Sequence, residues 1–200
     1  MTGTLSGWTT AIITNSDNSA VTASAVILQE TGPGSQGTPV CRSSDGGQSP
    51  VNSYTCTTVN KYGGTGSPLF PGDSRTVDIV FKNIGGAPAT SFQLAPGTCL
   101  QSPAAGSGTP AAADLCVNGD LRISVSCSPG TSYSLGTAWS DLAYAAAAPP
   151  SATKSHTASG GDLNAGSSWA CRLTVALASG AGVTGQGITV SQPLTWTLVQ

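Results

Sequence analysis

The sequence predicts an all-β protein, one antiparallel β-sandwich formed by residues 1–200, and three observations carry the prediction. Charged residues are 8% of the chain, against roughly 25% in ordinary soluble proteins, and a single glutamate and three lysines leave little with which to solvate the outside of a helix. Gly, Ser, Thr and Ala fill more than half of the 200 positions, with 26 Gly and 13 Pro among the total. That composition favours short strands joined by many turns. The third observation is apolar alternation with a period of two, the mark of a strand with one buried face.

Four segments show the alternation most clearly. Between Arg75 and Ile84, Val77, Ile79 and Phe81 share one phase while Asp78, Val80 and Lys82 take the other. Pro71-Gly72 precedes this strand and Gly85-Gly86 ends it. Leu121, Ile123, Val125 and Cys127 repeat the pattern, as do Trp169, Cys171, Leu173, Val175 and Leu177. The closing segment runs Ile188, Val190, Leu194, Trp196 and Leu198, interrupted by Pro193, which lacks a ladder donor and predicts an edge or a bulge there. Weaker strands are expected at 7–14, 20–29, 54–60, 90–95 and 132–138, and long connections at 31–50, 62–74, 96–118 and 145–167. The Ala/Pro/Ser stretch 145–157 is the best candidate hinge, but too few residues follow it for a second sheet domain.

Six cysteines, Cys41, Cys56, Cys99, Cys116, Cys127 and Cys171, form an even set without a C-x-x-C pair. With one histidine in the chain, disulfides are the better reading than zinc. Six cysteines allow 15 connectivities. In the most local one, Cys41–Cys56 and Cys99–Cys116 staple long loops, each worth about 3 kcal/mol in the chain-entropy model. Cys127 and Cys171, on the inward phase of two strong strands, would then bridge the core. Disulfides persist in oxidising surroundings, so the chain is expected to be secreted and extracellular. Met1 opens directly into polar sequence, which leads us to expect an export signal that was removed or lies outside this numbering. No run approaches the ~18 apolar residues of a membrane span.

Catalysis has little to work with. His156 sits in the polar run Lys154-Ser155-His156-Thr157 and reads as an exposed bystander. Glu30 is the only glutamate, no G-x-S-x-G elbow occurs, and the aspartates are scattered at turn positions. We therefore expect no enzyme activity, no catalytic residue, no metal and no cofactor. A net charge of −2 without a basic cluster argues against nucleic acid and anionic membrane surfaces as partners. Trp169 and Trp196 lie on apolar phases and read as core. Trp139, with Tyr133 and Tyr144 nearby in sequence, has no clear phase, and an exposed cluster of these would suit stacking on sugars.

Pro71-Gly72-Asp73, the strand Val77, Ile79, Phe81, and then Lys82-Asn83-Ile84-Gly85-Gly86-Ala87-Pro88-Ala89 resemble the camelysin/TasA family of exported proteins. Its members carry a PGD, strand, KN-x-G-x-x-PA segment. The strand with Trp169, Cys171 and Leu173, and the closing Gly185-Gln186-Gly187 followed by Ile188 to Leu198 with Trp196, are similar to that family's later strands. The cysteines, the small-residue loops and the shortage of Lys depart from it. The resemblance implies a jelly-roll type of sandwich that self-associates into an extracellular filament or biofilm-matrix fibre, the amino-terminal strand of one subunit completing the next subunit's sheet. It transfers no peptidase site, because the ligands are missing.

In this chain the donor strand would be residues 1–14, with Leu5, Trp8, Ile12 and Ile13 as its subunit-binding side chains. At 1.5–3 kcal/mol for each large apolar side chain, burying them contributes on the order of 6–12 kcal/mol as an upper bound. The alternative for this segment is an ordinary hairpin with 20–29 in the same molecule. The alternative function is a secreted carbohydrate-binding module that contacts a cell surface or glycan through Trp139, Tyr133 or Tyr144.

Overall fold

The structure is a computed structural model that describes residues 25–33, 39–46 and 52–200. Among them are eleven strands and no α-helix. The strands are β1 (Leu28–Thr31), β2 (Val40–Arg42), β3 (Ser74–Asn83), β4 (Ser91–Pro96), β5 (Leu100–Ser102) and β6 (Leu121–Pro129). They continue with β7 (Tyr144–Ala147), β8 (Lys154–Thr157), β9 (Ser168–Leu177), β10 (Thr189–Ser191) and β11 (Leu194–Val199). A six-stranded antiparallel sheet has the order β2-β1-β3-β9-β6-β7 and a three-stranded one the order β11-β4-β8, while β10 pairs with β5. The expected all-β sandwich is what forms.

Alternation decides which side of each long strand is buried. Val77, Ile79 and Phe81 of β3, Leu121, Ile123, Val125 and Cys127 of β6, and Trp169, Cys171, Leu173 and Val175 of β9 are all buried. They meet Phe92 and Leu94 of β4 from the smaller sheet, and Phe92 lies 5.3 Å from Phe81 and 4.9 Å from Trp169 between ring centroids. The opposite phase of β3 and β9 faces out, where Arg172 donates to both Asp78 oxygens at 2.8 and 2.7 Å.

Residues that carried the family resemblance have structural reasons for their identity. Asp73 accepts the Phe70 amide through Oδ2, and Gly72 at φ +92° turns the chain into β3. Asn83, fully buried at the end of β3, donates to the carbonyls of Ala87 and Leu163 and accepts the Gly85 amide. A Cβ on Gly85 would lie 2.2 Å from the Ala25 carbonyl oxygen, so the turn admits only glycine there.

Several expectations change. Segment 54–60 runs without a ladder, held by the bond from Cys56 to Cys41 and by buried Val59. Segment 132–138 is a 3-10 turn at Leu135–Thr137 with Leu135 exposed, because its apolar alternation is too short to gain a buried partner. The expected strand 20–29 becomes β1 from Leu28, its first residues lying outside the described residues, as does all of 7–14. Connections read as loops contain β2, β5 and β8. The break at Pro193 is real: β10 and β11 join different sheets, and β11 is an edge.

All three local cysteine pairs form: Cys41–Cys56, Cys99–Cys116 and Cys127–Cys171. The last is corrected in kind. Instead of crossing between sheets, it joins directly opposed residues of the neighbouring strands β6 and β9. The Cys127 carbonyl turns away from β9 to accept the Trp139 amide at 2.7 Å, so Cys127 and Cys171 are a narrow, non-hydrogen-bonded pair with Cα atoms 4.0 Å apart.

Candidate strand-acceptor groove

The two flanks of the sandwich differ. On one, β7 and β8 follow each other in sequence and link the two sheets. Tyr144 on β7 donates its one phenolic hydrogen to the Ala152 carbonyl, with the Leu94 carbonyl of β4 3.4 Å from the same oxygen, and the intervening Pro149 and Pro150 are buried. On the other flank the larger sheet ends in the three-residue β2 and the smaller one in β11. Between these edges lies a groove of about 810 Å³, with Leu28 and Val59 on one wall and Leu194, Trp196 and Leu198 on the other.

Direction of the main chain along β11 follows from its bonds to the β4 side. The carbonyls of Pro193 and Val199 accept the Gly97 and Thr90 amides, so odd-numbered residues address β4. Peptide groups alternate along a strand, and Leu194, Trp196 and Leu198 therefore aim their N–H and C=O groups away from β4, toward the groove side. Among the described residues no strand pairs with this edge. The same three side chains turn inward, while Thr195 and Thr197 face out. Trp196 stacks on Phe92 at 5.5 Å and 17°, and its Nε1, out of reach of solvent, has no hydrogen-bond acceptor among the described residues.

Polar groups fix the walls. Lys61 Nζ lies 2.6 Å from Glu30 Oε1, with both side chains about one-tenth exposed; the approach is off the hydrogen-bond direction, and the contact is an ion pair between β1 and the 52–62 segment. Tyr62 donates to Gln192 Oε1 at 2.6 Å, and Gln192 Nε2 donates to the Gly97 and Pro150 carbonyls at 2.8 and 2.7 Å. Burial, reinforced by nearby Tyr144, pushes the Tyr62 phenol well above its ordinary range, which keeps it a neutral donor.

His156 is the largest correction to the sequence reading. It is buried, because β8 pairs with β4 in the register Phe92↔His156 and turns the ring inward onto Trp139. Nδ1 lies 3.0 and 3.1 Å from the two Asp141 oxygens and Nε2 2.8 Å from Asp162 Oδ2. A carboxylate faces each ring nitrogen, so the trio holds three segments together. Nothing in a single polar tetrapeptide reveals partners six and fifteen residues away. Among the described residues no group of three or more His, Cys, Asp or Glu side chains is arranged to hold a metal ion.

The aromatic trio weighed for sugar stacking is dispersed. Trp139 is buried under His156, Tyr144 bridges the sheets, and Tyr133 lies under the Arg172 guanidinium at 4.6 Å on the outer face. The proposed donor residues Leu5, Trp8, Ile12 and Ile13 lie outside the described residues. No protein-family model matches the chain, and no curated protein matches it in sequence.

Proposed function

We propose that this protein is a structural subunit of an extracellular filament, in which the amino-terminal strand of one copy seats beside β11 of the next. The observation that carries the reading is the open flank. Among the described residues, this six-residue edge has no strand beside it, and the apolar side chains on both walls of the groove have no covering layer. Adding a strand satisfies both needs at once, by β-augmentation.

Other features agree. Three disulfides fit secretion into oxidising surroundings, and among the described residues no helix is long and apolar enough to cross a membrane. A surface with few ions lets copies pack closely without stripping water from charges.

The test is electron microscopy of the purified full chain at rising concentration, beside a chain lacking residues 1–14. Filaments in the first and dispersed particles in the second are expected. Dispersed particles in both overturn the proposal.

A further inference from the structure

The 52–62 segment lies on the sandwich without a ladder among the described residues, so side chains attach it. Cys56 is bonded to Cys41 of β2, Val59 is buried against Gly32, Lys61 pairs with Glu30 of β1, and Tyr62 donates to Gln192. Only the first of these is covalent. A strap held in this way is released where its covalent tie opens.

The two ends of that tie are unequal. Cys41 is buried on β2, whereas Cys56 is half-buried, so an attacking thiolate reaches Cys56 Sγ first. Attack there expels Cys41 as a thiolate into poorly solvated surroundings, which is costly unless a donor meets it. One is in place. Thr58 Oγ1 lies 3.5 Å from Cys41 Sγ and 3.6 Å from Cys56 Sγ. A disulfide sulfur carries no hydrogen, so the hydroxyl is the donor, and its one hydrogen can turn to either sulfur. Glu30, the ladder partner of Cys41, would repel a thiolate, but the Lys61 ammonium 2.6 Å from its carboxylate offsets that charge. Among the described residues no side chain hydrogen-bonds the sulfurs of the other two bridges.

We propose that Cys41–Cys56 is a thiol-exchange site, opened by a dithiol that attacks Cys56 while the Thr58 hydroxyl donates to the departing Cys41 thiolate, and that its opening frees the 52–62 strap from the sandwich. One thiolate of the reductant bonds to Cys56 Sγ as the Cys41–Cys56 bond breaks, and the electron pair of that bond leaves on Cys41. The reductant's second thiolate then closes onto its first sulfur and expels Cys56. The dithiol is oxidised to a disulfide by two electrons, and its two protons end on Cys41 and Cys56. A single copy suffices for this reaction, so it stands apart from assembly into a filament.

The test uses the full oxidised chain. Limiting dithiothreitol, then alkylation and peptide mapping, gives the rate at each bridge, and a pulse of glutathione quenched with iodoacetamide marks the sulfur attacked. Expected is Cys41–Cys56 opening before Cys99–Cys116, whose sequence separation of 17 is close to its own 15, with glutathione on Cys56 and the alkyl group on Cys41. Thr58→Val should slow the opening about three- to tenfold, the effect of one hydrogen bond lost to a charge forming in the transition state, and Thr58→Ser should restore it. A Thr58 that merely packed the strap would give the opposite sign, faster opening on its loss. In the opened chain, and in Cys41→Ser/Cys56→Ser, amide exchange across 52–62 should rise about tenfold or more while β3, β6 and β9 keep their protection.

Glutathione on Cys41, a Thr58→Val chain that opens as fast as wild type or faster, or Cys99–Cys116 opening first overturns the exchange site. Protection of 52–62 that is unchanged in the opened chain, or is lost together with that of β3, β6 and β9, overturns the strap.

Discussion

Trp139 and His156 stack face to face, ring centroids 3.8 Å apart and planes 5° from parallel. The stack joins the segment before β7 to β8, and the carboxylates of Asp141 and Asp162 hold the imidazole from both edges. These two contacts are unequal, because the Asp162 side chain is 14% exposed and that of Asp141 49%.

Removing Asp162 leaves a buried ring nitrogen without its partner, whereas water replaces much of Asp141. Asp162→Ala is expected to cost about 2–3 kcal/mol of folding stability and Asp141→Ala under about 1 kcal/mol. Urea unfolding of the two variants measures both. Equal losses would show that the clamp is not organised by burial.

The outer pair Asp78 and Arg172 serves as a contrast. The Asp78 hydrogen bonds hold the Arg172 guanidinium more firmly in its charged form than usual, but both side chains are more than two-fifths exposed. Arg172→Ala is expected to cost less than about 1 kcal/mol, with part of the loss coming from the contact with Tyr133. A loss above 2 kcal/mol in the same urea assay would contradict this.

Asn83 closes the turn after β3 with three side-chain bonds inside the protein. Asn83→Ala strands the Ala87 carbonyl and the Gly85 amide away from water, while the Leu163 carbonyl keeps the Ala89 amide, and about 2–4 kcal/mol of destabilisation is expected. Gly85→Ala should be comparably harmful, since its Cβ collides with backbone rather than with a yielding side chain. Thermal denaturation separates these effects from a harmless Thr76→Ala control.

Alkali should act through Tyr62. Its phenol is raised above the usual value of about 10, so the native state keeps a proton that the unfolded chain releases. Stability contributed by this group is complete below that value and declines as pH rises beyond it. Tyr62→Phe should flatten the decline above pH ~10 and lose about 1 kcal/mol at neutral pH with the Gln192 bond. An unchanged alkaline slope in pH-dependent unfolding would refute the assignment.

Burial also orders the disulfides. Cys127 and Cys171 are fully buried, while Cys56, Cys99 and Cys116 are partly accessible. Limited reduction followed by alkylation and peptide mapping should label the Cys41–Cys56 and Cys99–Cys116 pairs first. Early labelling of Cys127 would mean that β6 and β9 separate more easily than their packing indicates.

What the sequence disclosed was governed by segment length. β3, β6 and β9 are nine or ten residues long, so their alternation is repeated enough to read, and their buried faces match it. β2, β5 and β8 are three or four residues, too short for a period, and the polar run of β8 gave no hint that His156 points inward. Local cysteine spacing found the right pairs, but only strand order shows that Cys127 and Cys171 are sheet neighbours. The groove belongs to neither wall's sequence alone. It arises where β2 stops after three residues opposite an edge twice as long.

The same mismatch makes the body directional. Its β7–β8 flank is sewn shut by a continuous stretch of polypeptide carrying buried Pro149 and Pro150, whereas among the described residues its β11 flank is open. A brick with mortar space on one side only is laid in courses, so if copies add through this opening as proposed, the product would be an unbranched thread with two chemically different tips, and a capping agent aimed at β11 would stop elongation at one of them.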